Sequence, residues 1–161
     1  MPKVFTSETQ KIGEIGENVA CKFLVKQGFT IIERNYTRKY GEIDIVAQRQ
    51  EKQLDKHTGE VSRVTKIYFI EVKAVTRDLS EKTPSAFGSS PLSRGSNEFD
   101  RYRPEDNMHP WKLKRLSRTI QTYLVAKKVP EDVEWQFDLL VVSLDMKAKK
   151  ARVKKIEDVI L

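Results

Sequence analysis

Two stretches of the chain carry apolar residues at the three- and four-residue spacing of a helix with one buried face. The first predicts a helix over residues 10–28, with Gly28 as a natural C-terminal stop. The second predicts a helix over residues 110–128, because Pro110 suits a first helical turn and Pro130 ends the element. The first apolar stripe consists of Ile12, Ile15, Val19 and Phe23.

Five shorter runs favour β-structure because β-branched and aromatic residues are concentrated in them. The predicted strands are Phe29–Tyr36, Gly41–Ala47, Val64–Val75, Glu134–Leu144 and Lys149–Lys155. The fourth strand is apolar on both faces and is expected to be central in the sheet, whereas the lysines of the fifth suit a sheet edge. The order α-β-β-β-α-β-β predicts an α/β protein, with a mixed central sheet flanked by helices.

Two connections differ from these ordered segments. Residues 48–66 are charged, and Thr58-Gly59 is the expected turn of an antiparallel hairpin with an extended, mobile tip. Residues 76–108 are rich in Ser, Pro, Gly and charge and have no apolar period, which predicts a long flexible insert. The sequence contains no repeats, and residues 1–161 are expected to form a single domain.

The composition narrows the class of protein. With 39% apolar and 33% charged residues, the chain is expected to be globular and soluble. No apolar run approaches the roughly 20 residues that a membrane span needs, and the polar N-terminus has no apolar signal core. Cys21 stands alone, which excludes an internal disulfide and a cysteine-built zinc site. A cytoplasmic, reduced setting without a membrane partner follows.

The net charge of +7 is unevenly placed along the chain. From Pro110 onward there are 12 Lys and Arg against 7 Asp and Glu. A basic region of this kind suits a polyanion, and nucleic acid is the commonest one, although a solvated lysine-rich face explains the charge equally well. The candidate phosphate contacts are Lys112, Lys114, Arg115 and Arg118 on the second helix, with Arg34 and Arg38 near the first turn.

Ionisable residues interrupt two of the predicted strands. Asp44 and Glu71 each stand between two aliphatic residues, where a carboxylate is costly without a positive partner. Strand alternation places Glu71 and Lys73 on one face, and in the right register Asp44 lies beside them. Mg²⁺ commonly takes one or two carboxylates, waters and a substrate phosphate; it polarises a phosphoryl oxygen and lowers the pKa of a bound water. Lys73 would orient the attacking water or stabilise the charge that grows on the phosphate.

Other interpretations of these residues stay open. Asp44, Glu71 and Lys73 would also form a salt-bridge ladder across a hairpin, in which each pair contributes only about 0.2–1 kcal/mol. Glu17 is a further candidate acid because it lies on the flank of the first helical stripe, but a surface glutamate fits that position too. Glu42 shares the face of Asp44 and suits either a metal ligand or a turn cap.

The remaining polar and aromatic residues of interest are given structural roles. Asp138 interrupts a hydrophobic strand and is expected to be the buried partner of a lysine or arginine. His57 and His109 have no partner at ligand spacing, and His109 is assigned to the start of the second helix. The aromatic residues expected in the core rather than as base-stacking platforms are Trp111, Tyr123 and Trp135.

The motifs, taken in order, resemble a known family. Asp44 followed by Glu71-Val72-Lys73 resembles the catalytic signature of the PD-(D/E)XK nuclease superfamily, with a preceding helical glutamate as in archaeal Holliday-junction resolvases. The wider pattern is similar to the YraN-like family of small bacterial proteins related to those resolvases. The matching segments are Gly13-Glu14-Ile15-Gly16-Glu17, Gly28 to Ile32 with Arg34-Asn35, Gly41-Glu42-Ile43-Asp44, Phe69-Ile70-Glu71-Val72-Lys73, Lys112 to Leu116 with Tyr123-Leu124, and Phe137-Asp138.

The resemblance implies a restriction-endonuclease-like fold and a metal-dependent endonuclease that hydrolyses DNA, rather than RNA, including branched or junction DNA. It implies Glu17, Asp44, Glu71 and Lys73 as the catalytic set, with Mg²⁺ or Mn²⁺ held by Asp44 and Glu71. A homodimer is expected because resolvase-like enzymes cut two strands as dimers. Ile43 departs from the proline of the superfamily name. The alternative function is a non-catalytic nucleic-acid-binding protein on the same fold.

Overall fold

The computed structural model describes residues 7–77, 79 and 109–161. Within these residues the chain forms two helices and five strands, in the predicted order. The elements are α1 (Glu8–Lys26), β1 (Thr30–Arg38), β2 (Gly41–Leu54), β3 (Val61–Thr76), α2 (Pro110–Ala126), β4 (Trp135–Asp145) and β5 (Lys150–Ile156).

The five strands form one mixed sheet in the order β1-β2-β3-β4-β5. Neighbouring strands are antiparallel except β3 and β4, which run parallel. The parallel pair requires a crossover, and α2 lies in the chain between these two strands. The α/β class, the element order, the internal position of β4 and the edge position of β5 are thereby confirmed, and the architecture is consistent with a restriction-endonuclease-like fold.

Each helix covers one face of the sheet, because successive strand residues point to opposite sides. Ala20 and Leu24 of α1 pack with Ile70 in one cluster, whereas Leu116 and Ile120 of α2 pack in a second cluster on the other face. Each aliphatic side chain of this size, once buried, contributes about 1.5–3 kcal/mol to stability. The two cores therefore fix where α1 and α2 cross the sheet.

Helix α1 begins two residues before the predicted start because Ser7 caps it, its side chain accepting a hydrogen bond from Gln10 N at 3.2 Å. It ends at Lys26, and Gly28 follows in the left-handed region with φ of 88°. Glycine adopts this conformation without steric cost, so its predicted role as a stop is confirmed. Neither described helix is long and apolar enough to cross a membrane.

The predicted boundaries of the β2–β3 hairpin are wrong. Most of residues 48–66, expected to be a charged connection, continue the two strands, and the ladder extends to the pair Leu54–Val61. The turn at Thr58-Gly59 is confirmed, with Asp55 accepting hydrogen bonds from the His57 and Thr58 backbone nitrogens at 2.7 and 3.1 Å. The outer part of the hairpin is largely exposed on both faces, so its strands need no apolar alternation.

Two further structural predictions are confirmed. Asp138 is fully buried, accepts hydrogen bonds from Gln136 Nε2 at 2.7 Å and Asp158 N at 2.9 Å, and has Lys155 Nζ 3.9 Å from its second carboxylate oxygen. His109 is the N-cap of α2. Of the expected insert at residues 76–108, all but Thr76, Arg77 and Leu79 lies outside the described residues.

Candidate active-site cleft

A cleft of about 450 Å³ lies between the first turns of α2 and the turn that joins β1 to β2. Asp44 of β2 and Glu71 of β3 both line it, so the structure brings together the two carboxylates that the sequence singled out. Lys112 and Arg115 line its α2 side. The other lining residues are Tyr40, Gly41, Glu42, Trp111 and Leu116.

The register of β2 against β3 explains why Asp44 and Glu71 meet. The antiparallel ladder ends at the pair Ile45–Ile70, so Asp44 and Glu71 are the next residues on the two strands. Beyond that pair, Asp44 Oδ2 accepts a hydrogen bond from Val72 N at 2.8 Å. Where the ladder stops, the Asp44 carboxylate thus accepts the hydrogen bond from β3 that a β2 carbonyl would otherwise accept, and this bond fixes the orientation of Asp44.

The environment of Asp44 disfavours its negative charge. The pKa of Asp44 is raised from 3.8 to about 7, chiefly by burial, with a smaller contribution from the nearby charges of Glu71, Glu17 and Glu42 and against the opposing effect of the Val72 N–H. A cation placed next to this buried carboxyl would stabilise its ionised form. The electrostatics of the cleft therefore favour a bound positive charge at Asp44.

Lys112 of α2 supplies a positive charge to the second carboxylate. Its Nζ lies 2.6 Å from Glu71 Oε1, and the side chains of Lys112 and Glu71 are 46% and 20% exposed. The ammonium group occupies an oxygen that a metal ion would otherwise contact. Lys112, an expected phosphate ligand, would therefore compete with a metal ion for Glu71.

The donors in the cleft fit Mg²⁺ or Mn²⁺ with a partial protein ligand set. In the part of the chain that the structure describes, no group of three or more His, Cys, Asp or Glu residues is arranged to hold a metal. Asp44 and Glu71 supply two carboxylates, and Mg²⁺ is commonly bound by one or two carboxylates with waters and substrate phosphates completing the shell. The Lys112 ammonium lies against Glu71, so this carboxylate has a cationic partner in the structure.

Glu17 lies beside the cleft rather than in its lining. Its Oε2 accepts hydrogen bonds from Arg34 and Asn35, each at 3.3 Å. With the Asn35 amide in its alternative orientation, the nitrogen bridges Glu42 Oε1 at 3.0 Å and Glu17 Oε1 at 3.2 Å. Glu17 is near enough for its charge to raise the pKa of Asp44. The structure therefore joins Glu17 to the carboxylate cluster through Asn35 and through electrostatics.

Lys73 lies on β3 two residues after Glu71 and is half-buried. Alternation places it on the same face as Glu71, and it pairs in register with Val141 of β4. It is not among the residues that line the cleft. Its expected role in stabilising the reacting phosphate stays a prediction.

The four basic residues predicted on α2 are all exposed near or beside the cleft. Arg115 Nε donates to the Tyr40 carbonyl at 2.9 Å, which ties α2 to the β1–β2 turn. The Arg118 guanidinium lies 5.8 Å from the Tyr40 ring centroid. Lys114 is exposed on the same helix, and Lys112 is paired with Glu71. Of the four, Lys112 and Arg115 line the cleft, and Lys114 and Arg118 lie on the same helix outside its lining.

The two basic residues predicted on β1 have other partners. Arg34 pairs with Glu17 and donates to Asn18 Oδ1 at 3.0 Å. Arg38 lies over the Tyr36 ring, 4.2 Å from its centroid, with Nη1 donating to the Thr37 carbonyl at 2.8 Å. Both arginines are exposed, and their expected phosphate contacts stay predictions.

The prediction that Trp111 packs in the core is wrong. Trp111 is 53% exposed at the cleft, and Tyr40, which sequence reasoning did not single out, is 42% exposed on its other side. Tyr123 is buried as predicted, and Trp135 packs against the core. A helical wheel indicates this exposure, because Trp111 lies about 200° from Leu113, the first residue of the buried stripe.

Replacing Lys112 by glutamine is expected to raise the affinity for Mn²⁺ about two- to fivefold. The ion pair with Glu71 is half exposed, and pairs of this kind contribute at most about 1 kcal/mol, which the metal no longer has to overcome. Titration calorimetry of the metal-free protein measures the change. Lys114→Gln removes the same charge from the same helix and is the control; an equal gain in both variants would contradict competition at Glu71.

Comparison with known proteins places the chain among bacterial relatives of similar length. The family model described as "Uncharacterised protein family UPF0102" matches residues 16–142. A UPF0102 protein of Sulfurovum is 32% identical over 146 residues, which cover 90% of this chain and 88% of the relative. A UPF0102 protein of Campylobacter jejuni is 30% identical over 134 residues, or 83% of this chain and 85% of the relative. The matched region contains every residue of the cleft.

Proposed function

The chain belongs to the UPF0102 family, and from the residues of its cleft we propose that the protein is a metal-dependent endonuclease that hydrolyses DNA phosphodiester bonds. The observation that carries the proposal is that Asp44 and Glu71, 27 positions apart in the chain, line one cleft beside the basic start of α2. Paired acids that can hold a metal ion, next to basic residues that can bind phosphate, suit phosphodiester hydrolysis.

In this proposal the acids of the cleft bind the metal, and its basic residues bind the DNA. Asp44 and Glu71 would hold Mg²⁺ or Mn²⁺, which supplies Lewis-acid polarisation of the phosphoryl oxygen when bound. Arg115 would bind backbone phosphates next to the scissile bond, and Lys112 would do the same once it is released from Glu71. Phosphate contacts carry no sequence information, so the arrangement favours recognition of DNA by shape, and the preference for branched DNA rests on the family resemblance alone.

Lys73 and Glu17 are assigned supporting roles. Lys73 follows Glu71 on the same face, and its ammonium would stabilise the negative charge that develops on the phosphate or orient the attacking water. Glu17 is held by Arg34 and Asn35 next to the acids of the cleft. A fixed carboxylate at that place strengthens the local preference for divalent cations.

A second candidate function is a nucleic-acid-binding protein that has kept the fold without catalysis. The ion pair between Lys112 and Glu71 favours it, because that contact neutralises one acid of the cleft without a metal. The two functions agree on DNA as the partner and differ on whether phosphodiester bonds are broken.

The test is a cleavage assay on plasmid, single-stranded and four-way-junction DNA with Mg²⁺, with Mn²⁺ and with EDTA. The wild-type protein is expected to cut only with a metal, and Lys73→Ala to bind DNA as well as wild type while cutting roughly 100- to 1,000-fold more slowly. Lys66→Ala is the matched control, because alternation places this β3 lysine on the opposite face of the sheet from Glu71 and Lys73. Binding without cleavage of any DNA supports the second function, and neither DNA binding nor a Mn²⁺-dependent thermal shift would contradict both.

A further inference from the structure

Two exposed aromatic side chains stand at the cleft that holds the acids. Among the aromatic residues that the structure describes, Tyr40 and Trp111 are the exposed ones, and the others are buried or half-buried. Both line the same cleft as Asp44 and Glu71. Aromatic rings left in water lose the free energy that burial would provide, so their joint placement at one cleft requires an explanation.

Cationic side chains accompany both rings. The Arg115 guanidinium lies 5.6 Å from the centroid of a Trp111 ring, and that of Arg118 lies 5.8 Å from the Tyr40 centroid. The bond from Arg115 Nε to the Tyr40 carbonyl holds the two aromatic residues on adjoining elements in a fixed relation. Aromatic rings for stacking together with cations for the backbone are the combination that single-stranded nucleic acid sites use.

We propose that Trp111 and Tyr40 form a stacking site for a DNA base that is not paired in a duplex, with Arg115 and Arg118 contacting the phosphates on either side. A base inside a duplex has both faces covered by its neighbours, so only a single-stranded or flipped base offers a face to these rings. The inference rests on the proposed function and narrows it: the strand that enters the cleft is single-stranded, as in an overhang or a flap.

The charge of the surrounding surface distinguishes this ligand from an apolar partner. Lys112, Lys114, Arg115 and Arg118 are all exposed within two turns of Trp111. A protein segment that buried the rings would have to desolvate these cations, whereas a nucleotide strand neutralises them with its phosphates.

The test is binding of the full chain in EDTA, where no cleavage occurs, to three labelled DNAs: a single strand, a blunt duplex and a fully paired four-way junction. Trp111→Ala is expected to weaken binding of the single strand roughly 5- to 150-fold, the range for loss of one stacked base, and to change the other two by less than about twofold. Trp111→Phe keeps a ring and is expected to retain most of the affinity. Val125→Ala, an exposed position at the far end of α2, is the control.

Each outcome separates the stacking site from the nuclease proposal. Equal losses on all three DNAs, or no loss on the single strand, overturn the stacking site whatever the cleavage assay gives. Selective loss on the single strand supports it even when no DNA is cut, because binding in EDTA does not depend on catalysis. Quenching of tryptophan fluorescence by the single strand in the wild type, but not in Trp111→Phe, is the second readout, since Trp135 remains in both.

Discussion

Asp44→Asn is expected to abolish metal-dependent DNA cleavage while making the metal-free protein more stable above neutral pH. The amide is nearly the same size as the carboxylate, and its oxygen can still accept the hydrogen bond from Val72 N. It carries no charge, so it is a poor ligand for a hard divalent cation. Loss of function with a gain of stability distinguishes a functional acid from a structural one.

The sign of the stability change follows from the pKa of Asp44. This pKa is raised from 3.8 to about 7, chiefly by burial, so the folded protein holds the proton that the unfolded chain releases between these values. The contribution of Asp44 to stability is therefore present below pH 4 and is lost as the pH rises to about 7. Between pH 5 and about pH 7 the unfolded carboxyl is ionised and the folded one is not, a span of about two pH units. At 1.36 kcal/mol per unit, the wild type should therefore lose roughly 3 kcal/mol relative to Asp44→Asn between pH 5 and pH 8.

Urea unfolding in EDTA at pH 5 and pH 8 measures this difference directly. Added Mn²⁺ should stabilise the wild type more at pH 8 than at pH 5, because only the ionised carboxyl binds the metal, and should have little effect on Asp44→Asn. Glu14→Gln makes the same chemical change at an exposed position of α1 and should match the wild type. If Asp44→Asn were less stable than the wild type at pH 8, or kept the full stabilisation by Mn²⁺, the assignment of Asp44 as a metal-binding acid would be contradicted.

Gly16→Ala is expected to destabilise the protein by about 1–3 kcal/mol, although alanine is the better helix former. A Cβ placed on Gly16 would lie 2.5 Å from the Cβ of Ala74, so α1 must move away from β3. This movement also displaces the adjacent Glu17. The unfolding free energy from urea denaturation at pH 5 gives the size of the effect.

Gly13→Ala is the matched control in the same helix. A Cβ at Gly13 meets nothing within 4 Å, so the substitution should stabilise the protein by about 0.5–1 kcal/mol through helix propensity alone. Opposite signs for the two glycines are expected from the packing of α1 on β3. Stabilisation by both substitutions would mean that α1 does not approach β3 at Gly16.

The parts of the fold that were predictable are those where one face of an element is buried. The stripe of α1 faces a core and gave a helical period, and the β4 run is buried on both faces and gave a continuous apolar signal. The outer hairpin is held by backbone ladder bonds with both faces largely exposed, so residues 48–54 show no alternation and their sequence predicts a connection instead of a strand. Local hydrogen bonding without burial leaves no pattern in the sequence.

The candidate site divides in the same way. Asp44 and Glu71 were predictable because a carboxylate between aliphatic residues is costly, and strand alternation limits where it can point. The contacts of Lys112 with Glu71 and of Arg115 with Tyr40 depend on where α2 crosses the sheet, which the sequence does not specify. The exposure of Trp111 was readable from the helical wheel, but its place beside the acids was not.

Diffraction from crystals soaked in Mn²⁺, with the ion located by its anomalous signal, tests the central claim most directly. The account predicts one ion bound by carboxylate oxygens of both Asp44 and Glu71 at about 2.0–2.2 Å, with Lys112 Nζ displaced from Glu71. An ion elsewhere, or no ion at saturating Mn²⁺ while Lys112 remains on Glu71, would contradict it.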